Sequence, residues 1–245
     1  MKSALRLLLL VFPVTTVFAQ STSSPPGPVP FVIAERLNVA AVLPMSPADD
    51  SQQTKKELAL LHALEKSRST ADIARAKQDD VQEDIFIFRN VLGSDFTREG
   101  LPRTAAFGDH VHGNESVIVN PAKNFFRRPR PYSLDKTLKP VCKVETDPGD
   151  YAYPSGHGTT GYLEALVLAM MVPEKRDAIL ARADEYAHNR LVCGVHYPTD
   201  IAVSKSVAYA MIGLMMNDPR FIEEFEAARA ETRLALGYEL SSNNN

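Results

Sequence analysis

The residue types best suited to chemistry fall in three short stretches. Lys123, Arg127, Arg128 and Arg130 crowd together in a chain that is acidic overall, with 27 Lys and Arg against 30 Asp and Glu. A concentrated group of cations suits a dianionic oxyanion, and the planar fork of Arg offers paired donors. A solvated basic turn beside Pro129 and Pro131 would leave the same trace. The second stretch, Tyr153-Pro154-Ser155-Gly156-His157-Gly158, runs directly into a helical sequence. Backbone N–H groups at such a helix start can face an anion, and His157 there can give a proton to a leaving group. A plain turn capped by Ser155 is the alternative. In the third stretch Asn189 and Arg190 precede His196 and Asp200. A carboxylate that accepts from Nδ1–H of His196 fixes the tautomer and leaves Nε2 as a nucleophile; a purely structural His–Asp hydrogen bond is the alternative. Arg127 and Arg128 are expected at the border of such a pocket. His110 and His112 lack a third ligand for a metal, and His62 and His188 read as surface or packing residues.

These groups need elements to hold them, and the apolar spacing is helical nearly throughout. Leu58, Leu61 and Leu64 form a stripe in a helix from residue 54. Ser69 with Asp72 makes a capping-box-like start for a helix over 69–78. Ile85, Phe86, Phe88, Val91 and Leu92 suggest a third helix, stopped by Gly93. Further helices are expected at about 98–108, 114–126, 159–172, 175–191, 199–216 and 218–236. No alternating strand and no repeat stands out. The fold class is therefore all-α: a single-domain bundle of about eight or nine helices over residues 37–236. Residues 20–36, rich in Pro and Ser, read as an extended lead-in, continuing as an arm over 31–47, and residues 237–245 as a polar tail.

Lys2 and Arg6, the apolar run 7–12 and the small-residue end at Ala19 give residues 1–19 the pattern of a secretory signal peptide. Pro13 and two Thr make that run too short for a membrane span. The mature protein is expected to be exported, periplasmic or secreted, with no membrane-spanning segment. A net charge of −3 offers no basic field for nucleic acid. In an oxidising compartment the two cysteines, Cys142 and Cys193, are expected to form one disulfide; two buried thiols are the alternative.

Taken in order, Lys123-x6-Arg130-Pro131, Pro154-Ser155-Gly156-His157 and Arg190-x5-His196-x3-Asp200 resemble the three-part signature of the type-2 phosphatidic acid phosphatase and vanadium haloperoxidase superfamily. Within it the chain is most similar to the secreted bacterial class A non-specific acid phosphatases. The likeness takes in Leu43-Pro44, Ser46-Pro47, the helical run 54–93 and the places of Cys142 and Cys193, and covers about residues 37–217. Two positions depart from the pattern: Asn189 stands where Ser is usual, and Gly158 where Thr or Ala is frequent.

The resemblance implies a vanadium-haloperoxidase-like helical fold and hydrolysis of phosphate monoesters through a phosphohistidine. His196 would be the nucleophile, Asp200 would hold its ring, and His157 would act as acid and then as base. Lys123, Arg130 and Arg190, with Ser155 and the Gly156 backbone, would hold the phosphoryl oxygens. The implied enzyme needs no metal or other cofactor, is inhibited by vanadate, and could pass its phosphoryl group to an alcohol as a side activity. Small phosphate monoesters are the expected partners, with a homodimer as a candidate assembly. A vanadate-dependent haloperoxidase would share the site, although those relatives are generally much longer. A non-catalytic phosphate-binding module would lack a chemical residue, whereas His157 and His196 are both present.

Overall fold

The computed structural model describes residues 28–144, 147 and 149–239; the expected signal peptide and most of the polar tail lie outside them. Among the described residues there is no strand, and eight helices of twelve or more residues carry the fold. They are α1 (Gln52–Ser67), α2 (Thr70–Val81), α3 (Pro102–Gly113), α4 (Glu115–Phe126), α5 (Gly156–Met171), α6 (Arg176–Val192), α7 (Pro198–Met215) and α8 (Pro219–Ala235). The helix α5 is central. It packs on α6 and α7 along its length and touches α3, α4 and α8. Its sequence explains the position: residues 158–165 are buried without interruption, so no side of it is polar enough to face water. Gly161 lets α6 come close, since a methyl group there would meet the Tyr186 ring at 2.5 Å.

The helix ends follow local chemistry. Ser69 and Asp72 form the expected capping box at α2, and Pro102, Pro198 and Pro219 occupy first turns, where a missing N–H costs nothing. Gly93, at φ 111°, ends the turn before it.

Four expectations need correction. The helix expected over 85–92 is a 3-10 turn, Ile85–Phe88, running into one α-turn, Arg89–Leu92. All four residues Ile85 to Phe88 are buried, and the Asp84 side chain, which accepts from Phe86 N–H at 3.0 Å, caps the turn at its start. The helix expected at 98–108 is α3, displaced to begin at Pro102. The arm over 31–47 is not fully extended: it holds a 3-10 turn, Ala34–Arg36, and a helical turn, Val39–Val42. Finally, α5 begins at Gly156 rather than 159, because the Ser155 hydroxyl accepts from Gly158 N–H at 3.2 Å and caps the helix earlier. That last shift brings Gly156 and His157 into the first helical turn.

Candidate active site

The three stretches meet at one end of the bundle. Arg130, just after α4, donates through Nε and Nη2 to the Asp150 carboxylate at 2.9 and 2.7 Å. Its remaining nitrogen, Nη1, reaches the Val195 carbonyl at 3.0 Å and Nε2 of His196 at 2.6 Å. Lys123, near the end of α4, points its Nζ to the same Asp150 at 3.4 Å. Arg190, in the last turn of α6, donates to Asp80 at 2.5 Å. Its buried Nε has no hydrogen-bond partner among the described residues, so a donor remains for something further.

His196 is buried at the entrance to α7. Gly194, at φ 77°, turns the chain between α6 and this residue. Asp200 Oδ2 lies 3.3 Å from Nδ1 of His196 and accepts from Tyr197 N–H at 2.8 Å. Asp200 Oδ1 accepts from Arg128 at 2.6 Å. Burial pushes Asp200 up to about 7 against the pull of Arg128. Burial, reinforced by Arg130 and Arg190, pushes His196 well below the usual imidazole range, so its ring is neutral.

His157 sits in the first turn of α5 with Nε2 at 3.3 Å from the Asp80 carbonyl and 3.2 Å from Glu83 Oε1. Burial, then the charge of Arg190, pushes it down to about 3. Ser155 lies beneath, its N–H on Ser204 Oγ at 2.9 Å. A methyl group at Gly156 would meet Glu115 Oε1 at 2.5 Å, so that carboxyl lies directly against the helix start.

Arg130, Arg190 and His157 line a cavity of about 380 Å³. Lys123, Arg130, Gly156 and His157 line its neighbour, of about 390 Å³, and both cavities share Glu83 and Asp150. A larger hollow of about 730 Å³ opens by Asp79 and Arg182, and none of the expected site residues lines it. Cys142 and Cys193 form a disulfide, tying the segment before Pro154 to the turn that carries His196.

Two placements differ from expectation. Arg127 is an exposed helix cap at φ 51°, and Arg128 is buried behind the site, bridging Glu57 and Asp200 at 2.6 Å each. His110 is held by Glu224 and the Val29 carbonyl, and His112 by the Glu83 carbonyl. Acidic residues at or behind the site escaped the sequence reading, among them Glu57, Asp79, Asp80, Glu83, Glu115 and Asp150. The dense acidic run 79–84 was the available signal, and only folding shows that it faces Arg182, Arg190 and His157.

Lys123, Arg130, Arg190 and His157 thus surround two adjoining cavities, while His196 lines neither and is buried against Nη1 of Arg130. Residues 112–223 match the PAP2 superfamily. The chain is similar to an acid phosphatase of Zymomonas mobilis, 33% identical over 138 residues, which make up 55% of this chain and 52% of the relative. A non-specific acid phosphatase of Providencia stuartii is 26% identical over 148 residues, 59% of each chain. One of Salmonella typhi is 26% identical over 204 residues, 80% of this chain and 81% of the relative. The chain thus aligns with about half to three fifths of the length of the first two relatives and with most of the third.

Proposed function

We propose that this protein is an acid phosphatase that hydrolyses small phosphate monoesters through a phosphohistidine on His196, with fixed cations in place of a metal. The observation that carries the reading is the double engagement of His196. Asp200 faces Nδ1, and Arg130 aims an N–H donor at Nε2, the nitrogen that would attack. A phosphoryl group arriving there takes that donor for its own oxygens, and the freed lone pair forms the N–P bond as the ester P–O bond breaks. The leaving alkoxide takes a proton from His157. Water then attacks phosphorus, gives its proton to His157, and the N–P bond breaks to release phosphate. Lys123, Arg130, the Nε of Arg190 and the N–H groups at the start of α5 stabilise the charge on the three non-bridging oxygens.

His157 is held neutral by burial and Arg190 before substrate arrives. In this reading the dianionic ester supplies the opposing charge and brings the proton in with it. Activity should therefore peak on the acidic side of neutral. Export is part of the same proposal; no helix of the described residues is long and apolar enough to cross a membrane.

The test is turnover of p-nitrophenyl phosphate in EDTA, with wild type beside His196→Ala. Wild type should be active in chelator and inhibited by vanadate, and the variant should lose at least about 10³-fold in kcat. Quenching wild type into base during turnover should trap a phosphoryl adduct on His196. Undiminished activity in the variant, or activity that rises steadily to about pH 9, would contradict the assignment.

A further inference from the structure

The proposed mechanism leaves one contact of its proton donor unused. Both described polar contacts of the His157 ring are made by Nε2, with the Asp80 carbonyl at 3.3 Å and with Glu83 Oε1 at 3.2 Å. Glu83 lies in the link between α2 and the Ile85–Phe88 turn, and it lines both cavities beside His157. The backbone around it is fixed from two sides. Tyr186 donates its hydroxyl to the Gln82 carbonyl at 3.0 Å, and the Glu83 carbonyl meets His112 Nδ1. The side chain is thus delivered to His157 by a braced loop, not by a free one.

The charges around the pair sharpen its meaning. Arg190 and Arg130 act on His157 against the imidazolium, and Asp80 acts in its favour. Burial, with Asp80, raises Glu83 above its ordinary value of 4.5, while His112, Arg190 and Lys123 favour its charged form. The Asp80 carboxylate is already taken by Arg190 at 2.5 Å and by Lys143 N–H at 3.0 Å. Glu83 therefore brings a carboxylate oxygen directly to the ring that must carry a proton.

We infer that Glu83 is a positioning residue: its carboxylate holds the Nε2–H of His157 in both charge states, so that the proton exchanged with substrate travels on Nδ1. The inference rests on the phosphohistidine reading above. In the first half-reaction the imidazolium keeps Nε2–H on Glu83 and gives Nδ1–H to the leaving oxygen. In the second, Nδ1 of the neutral Nε2–H tautomer takes one proton from the attacking water. A carboxylate on one ring nitrogen fixes the tautomer and raises the basicity of the other. Glu83 is 39% exposed, so solvent screens the pair and its contribution is moderate rather than absolute.

The experiment compares Glu83→Gln with wild type on two leaving groups. Ethyl phosphate must expel an alkoxide and needs the acid, whereas p-nitrophenyl phosphate expels a stable phenolate and needs it little. The variant should lose about tenfold or more in kcat on ethyl phosphate but about threefold or less on p-nitrophenyl phosphate, and the alkaline limb of its ethyl phosphate profile should move to lower pH. Equal losses on both esters with an unmoved limb would mean a merely structural role and overturn the inference. Heteronuclear NMR of wild type with inorganic phosphate bound provides a measurement independent of the variant's folding. A proton on Nε2 of His157 supports the inference, and a bare Nε2 overturns it. A wild type that turns over neither ester would defeat the phosphatase reading itself, whereas an active wild type with an indifferent variant defeats only the role of Glu83.

Discussion

Arg128 and Arg130 are two residues apart, yet they belong to opposite kinds of charge cluster. Behind the site, one cation serves two carboxylates: Arg128 lies between Glu57 and Asp200, stacked 3.7 Å from the Tyr197 ring centroid, with all three charged side chains almost fully enclosed. At the cavity, two cations share one carboxylate: Lys123 and Arg130 both contact Asp150, and each keeps some exposure to solvent. The rear cluster consumes its cation internally and uses it to fix Asp200 beneath His196. Within this front cluster the two cations outnumber the one carboxylate they share, which favours an incoming anion at that point. The same residue type thus builds the floor in one place and serves as a candidate ligand in the other.

Breaking the two clusters should separate stability from activity. Arg128→Met leaves two buried carboxylates without their cation and should destabilise the fold by about 3 to 5 kcal/mol. Asp200→Asn together with Glu57→Gln should return part of that loss. Arg130→Met removes a donor from the cavity edge and should cost under about 2 kcal/mol in stability, while kcat/KM falls at least about 10³-fold. Denaturant melts and steady-state kinetics on both variants check the contrast. Equal stability losses would erase the distinction between the clusters.

The sequence pointed to the cations and histidines of the candidate site and concealed the carboxylates that hold them. Lys123, Arg130, His157, Arg190 and His196 could be named because their order and spacing resemble a family signature; each stretch read alone is also open to a basic turn, a capped turn or a structural hydrogen bond. Glu57, Asp79 and Asp150 carry no such mark: an acidic residue on a helix or loop looks solvated until folding brings a guanidinium to it. The helices were legible for a related reason. Apolar periodicity and caps such as Ser69 with Asp72 are local, and α2 through α8 lie close to where those signals place them. The stretch 85–92 departed because its burial is set by neighbours on every side, which no local period reports. Asn189 shows the same limit: its side chain donates to Asp79 at 2.7 Å, part of a buried set with Arg182, so the departure from Ser is accommodated by a partner far away in sequence.

A third arrangement extends the comparison, a buried carboxyl with no hydrogen-bonded cation among the described residues. Glu164, on α5, is fully buried, and neither carboxylate oxygen has a partner among the described residues. Burial, then Asp84 and Glu83, raises it well above its ordinary value of 4.5. Because the folded value lies above the unfolded one, the stability contributed by the neutral acid is fully present below about pH 4.5 and is lost as pH rises through the folded value. Glu164→Leu removes both the desolvated group and this slope. The variant should be more stable than wild type near neutrality by about 1 to 3 kcal/mol, with the gap closing toward acid. A wild type that loses no stability relative to the variant between acid and neutral pH would show that the carboxyl is paired.

The smallest expected effect tests the surplus at the front most directly. Asp150 already occupies the Nε and Nη2 edge of Arg130 and draws on Lys123, so its carboxylate stands where it both orders the two cations and competes with an anion for them. The two roles predict opposite signs. If ordering dominates, Asp150→Asn weakens inorganic phosphate, because Arg130 loses the fork that aims Nη1 at His196. If charge dominates, the same change tightens phosphate, because one negative charge beside a dianion is removed while an amide oxygen still accepts from the guanidinium. The isosteric amide preserves most of the geometry and none of the charge, so tightening is expected, by about three- to tenfold at low salt and less at high salt. Competitive inhibition by inorganic phosphate at two ionic strengths measures it. A weaker, salt-independent inhibition constant would instead make Asp150 part of the floor, and the front cluster would then resemble the rear one more than its exposure suggests.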